Sequence, residues 1–81
     1  QAYPNPFNPS TTINFDLPVN NHVKLQVYDL QGRLVQELSN SILKAGYHQF
    51  IWNANKYASG AYLVKLTAGD FITTQKITLI K

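Results

Sequence analysis

Three prolines within the first nine residues constrain this chain more than any other feature. They stand at Pro4, Pro6 and Pro9. Each fixes its own φ near about −65° and removes a backbone N–H donor, and each pushes the preceding residue toward extended geometry. This leader, residues 1–10, therefore cannot form a helix or a central strand. We expect it to be stiff and extended and to hold whatever lies upstream away from the domain.

Alternation of apolar and polar residues after the leader predicts strands along the rest of the chain. A period of two is typical of a strand with one buried face. The residues expected to share the buried faces are Ile13, Phe15, Leu17, Val23, Leu25, Val27, His48, Phe50, Trp52, Tyr62, Val64, Leu66, Ile77 and Leu79. Trp52 is the only Trp and is expected to lie at the centre of the core, with a partner for its N–H.

The segment after residue 32 is less regular. Gly32 can supply the positive φ that a short hairpin loop needs near its end. The returning strand then places Leu34 and Leu38 on one face and Val35 on the other. Residues 40–44 are polar and indicate an irregular connection, in which Ile42 and Leu43 cover an open end of the core.

The complete pattern predicts an all-β fold. About seven strands, short turns such as Gly69-Asp70 and no helical periodicity favour an immunoglobulin-like antiparallel β-sandwich, with a small closed barrel as the alternative. We expect one domain over residues 1–81, with the sandwich in residues 11–81. A chain of this length buries only about 60–65% of its unfolded surface, so its core leaves no room for a buried substrate.

Composition excludes several classes of function. The chain has no Cys, which rules out disulfides, a thiolate nucleophile and a Cys-based metal site. Its seven Lys and Arg give a net charge of +3 but are scattered singly, unlike the basic stripe of a nucleic-acid-binding protein. No apolar run approaches the roughly 20 residues of a membrane-spanning helix, so no membrane insertion is expected. The chain contains no signal-peptide pattern, so in an exported protein we expect the signal to have lain upstream and to have been removed, and we expect the chain to be an excised C-terminal module of a longer protein.

Catalytic chemistry is equally sparse. The two histidines, His22 and His48, have no second ligand at metal-binding spacing, and His48 is expected to be held by a hydrogen bond. The four carboxylates do not suggest a catalytic pair. Asp29 and Arg33 flank one hairpin and should form a surface ion pair worth about 0–1 kcal/mol. We therefore predict no enzyme activity, no cofactor and no metal site.

Three tyrosines, Tyr28, Tyr47 and Tyr57, are predicted to be exposed. Rings on one sheet face could form a stacking platform for sugars. The alternative is cross-strand side-chain pairing, in which each pair contributes about 0.2–1 kcal/mol.

Five short motifs follow one another along the chain. They are residues 3–13 (YPNPFNPSTTI), 27–35 (VYDLQGRLV), 45–48 (AGYH) followed by Trp52, 59–62 (SGAY) and 75–81 (QKITLIK). This order and spacing resembles the type A C-terminal sorting domain of the type IX secretion system, also called the Por secretion tail, over essentially the whole chain. The proline motif is the most specific of the five, and the series is far more specific than any one motif.

The resemblance implies a seven-stranded immunoglobulin-type sandwich at the C-terminus of a large exported protein of the Bacteroidota or related phyla. It implies a non-catalytic signal that directs upstream cargo from the periplasm through the type IX translocon to the cell surface, where a sortase cuts upstream of the proline motif. Carried over residue by residue, recognition by the secretion machinery is expected at Tyr3, Pro4, Asn5, Pro6, Gly32, Arg33, Lys76, Ile77 and Lys81.

Two further expectations accompany this interpretation. Lys76 and Lys81 should stay solvated and meet an acidic receptor surface by charge steering, and deletion of residues 76–81 should stop secretion.

The segment Phe7-Asn8-Pro9-Ser10 is also common in immunoglobulin-like domains that resemble the flagellar hook-capping protein. The alternative function is therefore an accessory immunoglobulin-like or carbohydrate-binding module of a secreted hydrolase.

Overall fold

The computed structural model describes residues 2–81, and these residues form strands and turns without any helix. The strands are β1 (Ala2–Tyr3), β2 (Ser10–Leu17), β3 (Asn21–Asp29), β4 (Leu34–Leu43), β5 (Gly46–Asn53), β6 (Gly60–Ala68) and β7 (Phe71–Leu79). The predicted number of about seven strands is confirmed. No helix of the described residues has the length and apolar character needed to cross a membrane.

The strands form two antiparallel sheets rather than a closed barrel. One sheet has the order β1-β2-β5 and the other has the order β4-β3-β6-β7. The chain crosses from one sheet to the other between β2 and β3, between β4 and β5, and between β5 and β6. These crossings give the immunoglobulin-like sandwich that the spacing of the strands predicted.

The core lies between the inner faces of the two sheets, and the period-two pattern predicted most of it. Val23, Leu25 and Val27 of β3 are completely buried. The Trp52 ring lies at the centre, with ring centroids 5.6 Å from Phe7 and 5.3 Å from Tyr62. Trp52 Nε1 has no hydrogen-bond partner within residues 2–81, contrary to expectation. The free energy gained by burying this ring therefore comes from packing.

The predicted faces of β4 were wrong. The pairing of β3 with β4 shifts register between Leu25 and Gln26 and again between Val27 and Tyr28. A bulge adds one residue to a strand and moves the following side chains to the other face. As a result Val35 packs against the core together with Leu38, whereas Leu34 is exposed.

The expected irregular connection over residues 40–44 was also mostly wrong. β4 continues to Leu43, because backbone pairing with β3 extends to Asn21. Leu43 packs against the core as predicted, but Ile42 alternates to the outer face and is 76% exposed. Ile42 therefore does not cover an end of the core.

The leader departs most from expectation, because it folds back onto the sandwich. Ala2 and Tyr3 pair with Ile13 and Thr12 of β2. Phe7 pairs with β7 instead: its N–H donates to Thr78 O, and its carbonyl accepts from Ile80 N–H, both at 2.9 Å. The leader thus joins the edges of both sheets. The pairing positions are non-proline residues that retain an N–H, and Pro4 and Pro6 lie between them.

Burial of Phe7 accounts for this path. Its side chain is 2% exposed and lies against Trp52. Full burial of a large apolar side chain contributes about 1.5–3 kcal/mol, which an extended leader pointing into solvent would forgo. The prolines were correctly read as excluding a helix, but they do not hold the leader away from the domain.

Replacing Phe7 with Ala should destabilise the whole domain. Loss of a buried aromatic ring typically costs about 3–5 kcal/mol because a cavity remains. Tyr3→Ala is the matched control, since Tyr3 is 73% exposed and substitutions at such positions usually change stability by less than about 0.5 kcal/mol. Urea unfolding followed by Trp52 fluorescence measures both variants. Equal losses in the two would contradict the anchoring role of Phe7.

Candidate functional site

The leader and the last strand meet through the side chain of Asn5. Its Nδ2 donates to Lys76 O at 3.1 Å, and its Oδ1 accepts from Thr78 N–H at 3.0 Å. These two groups lie along the edge of β7 that Phe7 pairs with one step further on. The amide of Asn5 therefore substitutes for the backbone of a strand residue, at the point where Pro4 and Pro6 leave no N–H on either side.

Two more hydrogen bonds fix the start of the leader. Thr11 Oγ1 donates to Pro4 O at 2.9 Å, and the Ala2 N–H donates to Gln75 Oε1 at 3.0 Å. Thr11 is 1% exposed, so its hydroxyl needs this partner. The leader is consequently held at three successive levels of β7, namely Gln75, residues 76–78 and residues 78–80.

This contact makes one surface from two distant parts of the sequence. We call it the seam and define it as residues 3–6 together with Lys76. Tyr3, Pro4, Pro6 and Lys76 are exposed there, whereas the amide of Asn5 is occupied by β7. The predicted first and last recognition motifs are thus neighbours in the folded domain, although more than 70 residues separate Asn5 from Thr78.

Gly32 and Arg33 lie in the loop that joins β3 to β4. Asp29 organises this loop: its Oδ1 accepts from the N–H groups of Gln31 and Arg33, both at 3.0 Å, and its Oδ2 accepts from Arg33 Nε at 2.8 Å. The predicted Asp29–Arg33 ion pair is confirmed. Gly32 has a φ of +84°, which favours glycine. The arginine side chain remains 76% exposed.

The same contacts change the titration of Asp29. The Arg33 N–H lowers the pKa of the Asp29 carboxyl below its ordinary value of 3.8, and the Arg33 guanidinium and the Gln31 N–H act in the same direction. Partial desolvation raises the pKa but does not outweigh the hydrogen bonds. The carboxylate is therefore charged at neutral pH and holds the loop in one conformation.

The loop and the seam both border the outer face of the four-stranded sheet. One row of this sheet consists of Leu34, Tyr28, Leu63 and Lys76, on four adjacent strands. Adjacent strands lie about 4.8 Å apart, so roughly 10 Å separates the backbones at Tyr28 and Lys76. A shallow groove of about 350 Å³ lies on this face, and its lining includes Gly32 and Tyr28.

Two of the predicted recognition residues are not available at this surface. Ile77 is completely buried, facing the core from β7. Lys81 was expected to be freely solvated, but its Nζ donates to Asn55 O at 2.7 Å and its N–H donates to Ser59 Oγ at 3.1 Å. Lys81 therefore ties the end of the chain to the loop before β6. Lys76 makes no such contact through its ammonium group within the described residues.

The three tyrosines do not form a common platform. Tyr47 is 59% exposed on β5, in the three-stranded sheet. Tyr28 is half-buried on β3, in the other sheet, and its hydroxyl donates to Gln26 Oε1. Tyr57 was predicted to be exposed but packs against Trp52, and its hydroxyl donates to Val35 O. These positions give no support to a sugar-stacking face.

No metal-binding arrangement forms within residues 2–81. No three His, Asp or Glu side chains converge there in a way that could hold a metal ion. The His48 ring lies beside Phe15, and its Nε2 donates to Lys44 O at 2.6 Å, as the hydrogen-bonded reading predicted. His22 Nε2 is hydrogen-bonded to Asn40 Oδ1.

Sequence reasoning missed the residues that build the seam. Phe7 and Ala2 are buried, and Gln75 and Thr11 supply hydrogen bonds. The prolines instead led to the prediction of a stiff leader that makes no contact with the core. One signal was present. Phe7 is a large apolar side chain in an otherwise polar and proline-rich segment, and such a residue favours burial against a nearby core.

The fold and the seam define a class of protein: a thin immunoglobulin-like sandwich whose leader and last strand are hydrogen-bonded to each other and form one continuous surface. The chain belongs to the family of secretion system C-terminal sorting domains, Por_Secre_tail, whose model matches residues 1–81. This match confirms the resemblance to the type IX secretion sorting domain. Sorting-signal domains of this kind are generally non-catalytic.

A solved structure with a similar fold comes from PorZ, a bacterial surface component of the type IX secretion system of Porphyromonas gingivalis. The TM-score is 0.71 and the sequence identity is 22%. The similarity covers 100% of this chain and 11% of the PorZ chain, so this chain corresponds to about a tenth of that protein. No curated protein sequence matches this chain significantly.

The hairpin loop should lose its order only in acid. Because the pKa of Asp29 is lowered on folding, its carboxylate stabilises the loop above the ordinary pKa of 3.8, and this contribution is lost as pH falls through the lowered value. NMR titration of the Gln31 and Arg33 amide signals should show a midpoint below 3.8. The Asp29→Asn substitution should abolish this titration of the two amide signals. The Asp16→Asn substitution, at an exposed strand position, should leave the titration unchanged. A midpoint above 3.8 would contradict the assignment.

Proposed function

We propose that this domain is the non-catalytic C-terminal signal of a larger exported protein. It carries an upstream cargo from the periplasm through the type IX translocon to the cell surface, where a sortase removes it. The family match over residues 1–81 is the observation that carries this proposal.

The seam and the neighbouring hairpin loop are the surface that we assign to the secretion machinery. Tyr3, Pro4 and Pro6 offer rigid apolar contacts, and Lys76 offers an exposed positive charge on β7, while the exposed Arg33 side chain in the hairpin loop is paired with Asp29. Exposed charges of one sign raise the rate of encounter with a partner of opposite sign. We therefore assign an acidic partner surface to this part of the domain.

The remaining predicted recognition residues act indirectly. Asn5 holds the leader on β7, Ile77 anchors β7 in the core, Gly32 permits the loop conformation, and Lys81 fixes the chain end. Deleting residues 76–81 would remove Ile77 and Leu79 from the core, so the loss of secretion expected from it would not separate recognition from folding. Point substitutions at exposed positions make the sharper test.

Transfer of secretion is the direct test of the sorting role. A periplasm-targeted fluorescent protein that carries residues 1–81 at its C-terminus should reach the cell surface or the medium of a host with a type IX system. The same fusion should stay in the periplasm of an isogenic strain without the translocon, as should the reporter without the domain. Export that does not depend on the translocon would overturn the proposal. A glycan array with the same fusion tests the accessory-module alternative, and specific sugar binding together with failed export would favour it.

Reversing the charge at Lys76 should impair recognition without unfolding the domain. Lys76→Glu places a negative charge within the seam, and we expect at least a fivefold lower secreted fraction of the reporter. Lys24→Glu is the control: it makes the same charge change at an exposed position of the same sheet, toward the other end of the strands. Secreted and periplasmic fractions are measured by immunoblot. Equal effects of the two variants would contradict a specific role of Lys76.

A further inference from the structure

The leader covers one side of the sandwich only in part. It contacts β7 at residues 78–80 through Phe7, at residues 76–78 through Asn5, and at Gln75 through Ala2. Leader and strand therefore run in the same direction. The next two core-side positions of β7 are Thr73 and Phe71. Both are exposed, and Phe71 is 60% exposed although it belongs to the inward-facing set with Ile77 and Leu79.

The edge of β2 shows the same boundary. β1 pairs with Thr12 and Ile13, and it runs antiparallel to β2. Within residues 2–81, no strand pairs with this edge from Phe15 to Leu17, where only the β5 side is paired. An unpaired strand edge presents N–H and C=O groups that accept an added strand.

An apolar groove lies between these two uncovered stretches. It has a volume of about 290 Å³, and its lining includes Phe15, Leu17, Leu66, Ala68 and Phe71. Leu17, Leu66 and Ala68 are core residues, so the groove is an opening in the side of the core itself. A strand added to the edge of β2 would place alternate side chains in it.

We propose that this groove binds the segment of the precursor immediately ahead of Gln1, as a backward continuation of β1. The inference rests on the proposed function, because it requires the cargo to precede the domain. Two independent registers support it. Extending the β1–β2 pairing from Ala2 and Ile13 leads upstream residues to Phe15 and then Leu17. Extending the contact of the leader with β7 from Gln75 leads the same residues to Thr73 and then Phe71.

The register also fixes which upstream side chains enter the groove. Ala2 points inward, so the residues one and three positions before Gln1 point inward as well, by the period of two. These two positions are expected to carry apolar side chains, and the positions two and four before Gln1 face solvent. A segment of the same chain has the advantage over a free peptide or a second copy, because a short covalent connection gives an effective concentration on the order of mM.

Docking would control access to the segment in which we propose that the sortase cuts. A residue paired in a sheet has its backbone groups occupied and cannot enter a protease cleft in extended form. Cleavage of the docked segment then requires it to leave the groove first. The groove would therefore delay separation of cargo and signal until the segment is released.

Hydrogen exchange on the intact precursor tests the docking. Amides of the upstream segment should exchange at least tenfold more slowly than amides of an unstructured linker. Phe71→Asp places a charge in the groove and should return the upstream amides to linker rates. Ile72→Asp is the matched control, since Ile72 is also 60% exposed but lies on the opposite face of β7. It should leave the protection unchanged.

Several outcomes would overturn the inference. They are exchange of the upstream segment at linker rates in the unmodified precursor, equal effects of Phe71→Asp and Ile72→Asp, and protection that rises with protein concentration, which would assign the groove to a second copy. Urea unfolding is measured for both variants. Equal midpoints for Phe71→Asp and Ile72→Asp confirm that both variants are folded. Secretion of the reporter decides the sorting role separately, so protection without secretion would refute the proposed function and leave the docking intact.

Discussion

The contact between the leader and β7 is the interaction on which the rest of this structure depends. Hydrogen bonds join Asn5 and Phe7 to the edge of β7, and the Phe7 ring packs on Trp52 in the core. Each hydrogen bond contributes only about 0.5–1.5 kcal/mol, and burial of the ring adds about 1.5–3 kcal/mol. In a domain this small these amounts are a large fraction of the net stability. The leader thus joins the two sheets along one side.

This contact makes the proposed recognition surface a property of the folded state. Lys76 and residues 3–6 lie side by side only when the first and last parts of the chain have come together. An unfolded chain carries the same motifs in the same order but presents no seam. A receptor that binds the seam therefore distinguishes the folded domain from the unfolded chain, without contacting any residue of the core.

Local sequence rules predicted the strands well and failed where distant residues decide the structure. The inward residues of β3 and β6 follow from a period of two, because β3 pairs with β6, and β6 with β7, without any shift of register. In β4 two shifts of register against β3 moved Val35 inward, and no rule based on β4 alone contains that information. The path of the leader depends on β7, at the other end of the sequence.

The candidate site shows the same limit at the level of single residues. The family motifs include the segments that form the seam and the hairpin loop, but they did not separate exposed side chains from buried ones. Ile77 and Lys76 are adjacent in one motif, yet one is in the core and the other in solvent. The alternation of a strand makes this division inevitable, and the register of β7 decides which residue faces outward. Some motif residues in such a domain are therefore buried and stabilise the fold, and others are exposed and form the surface. Only the exposed residues can contact a partner.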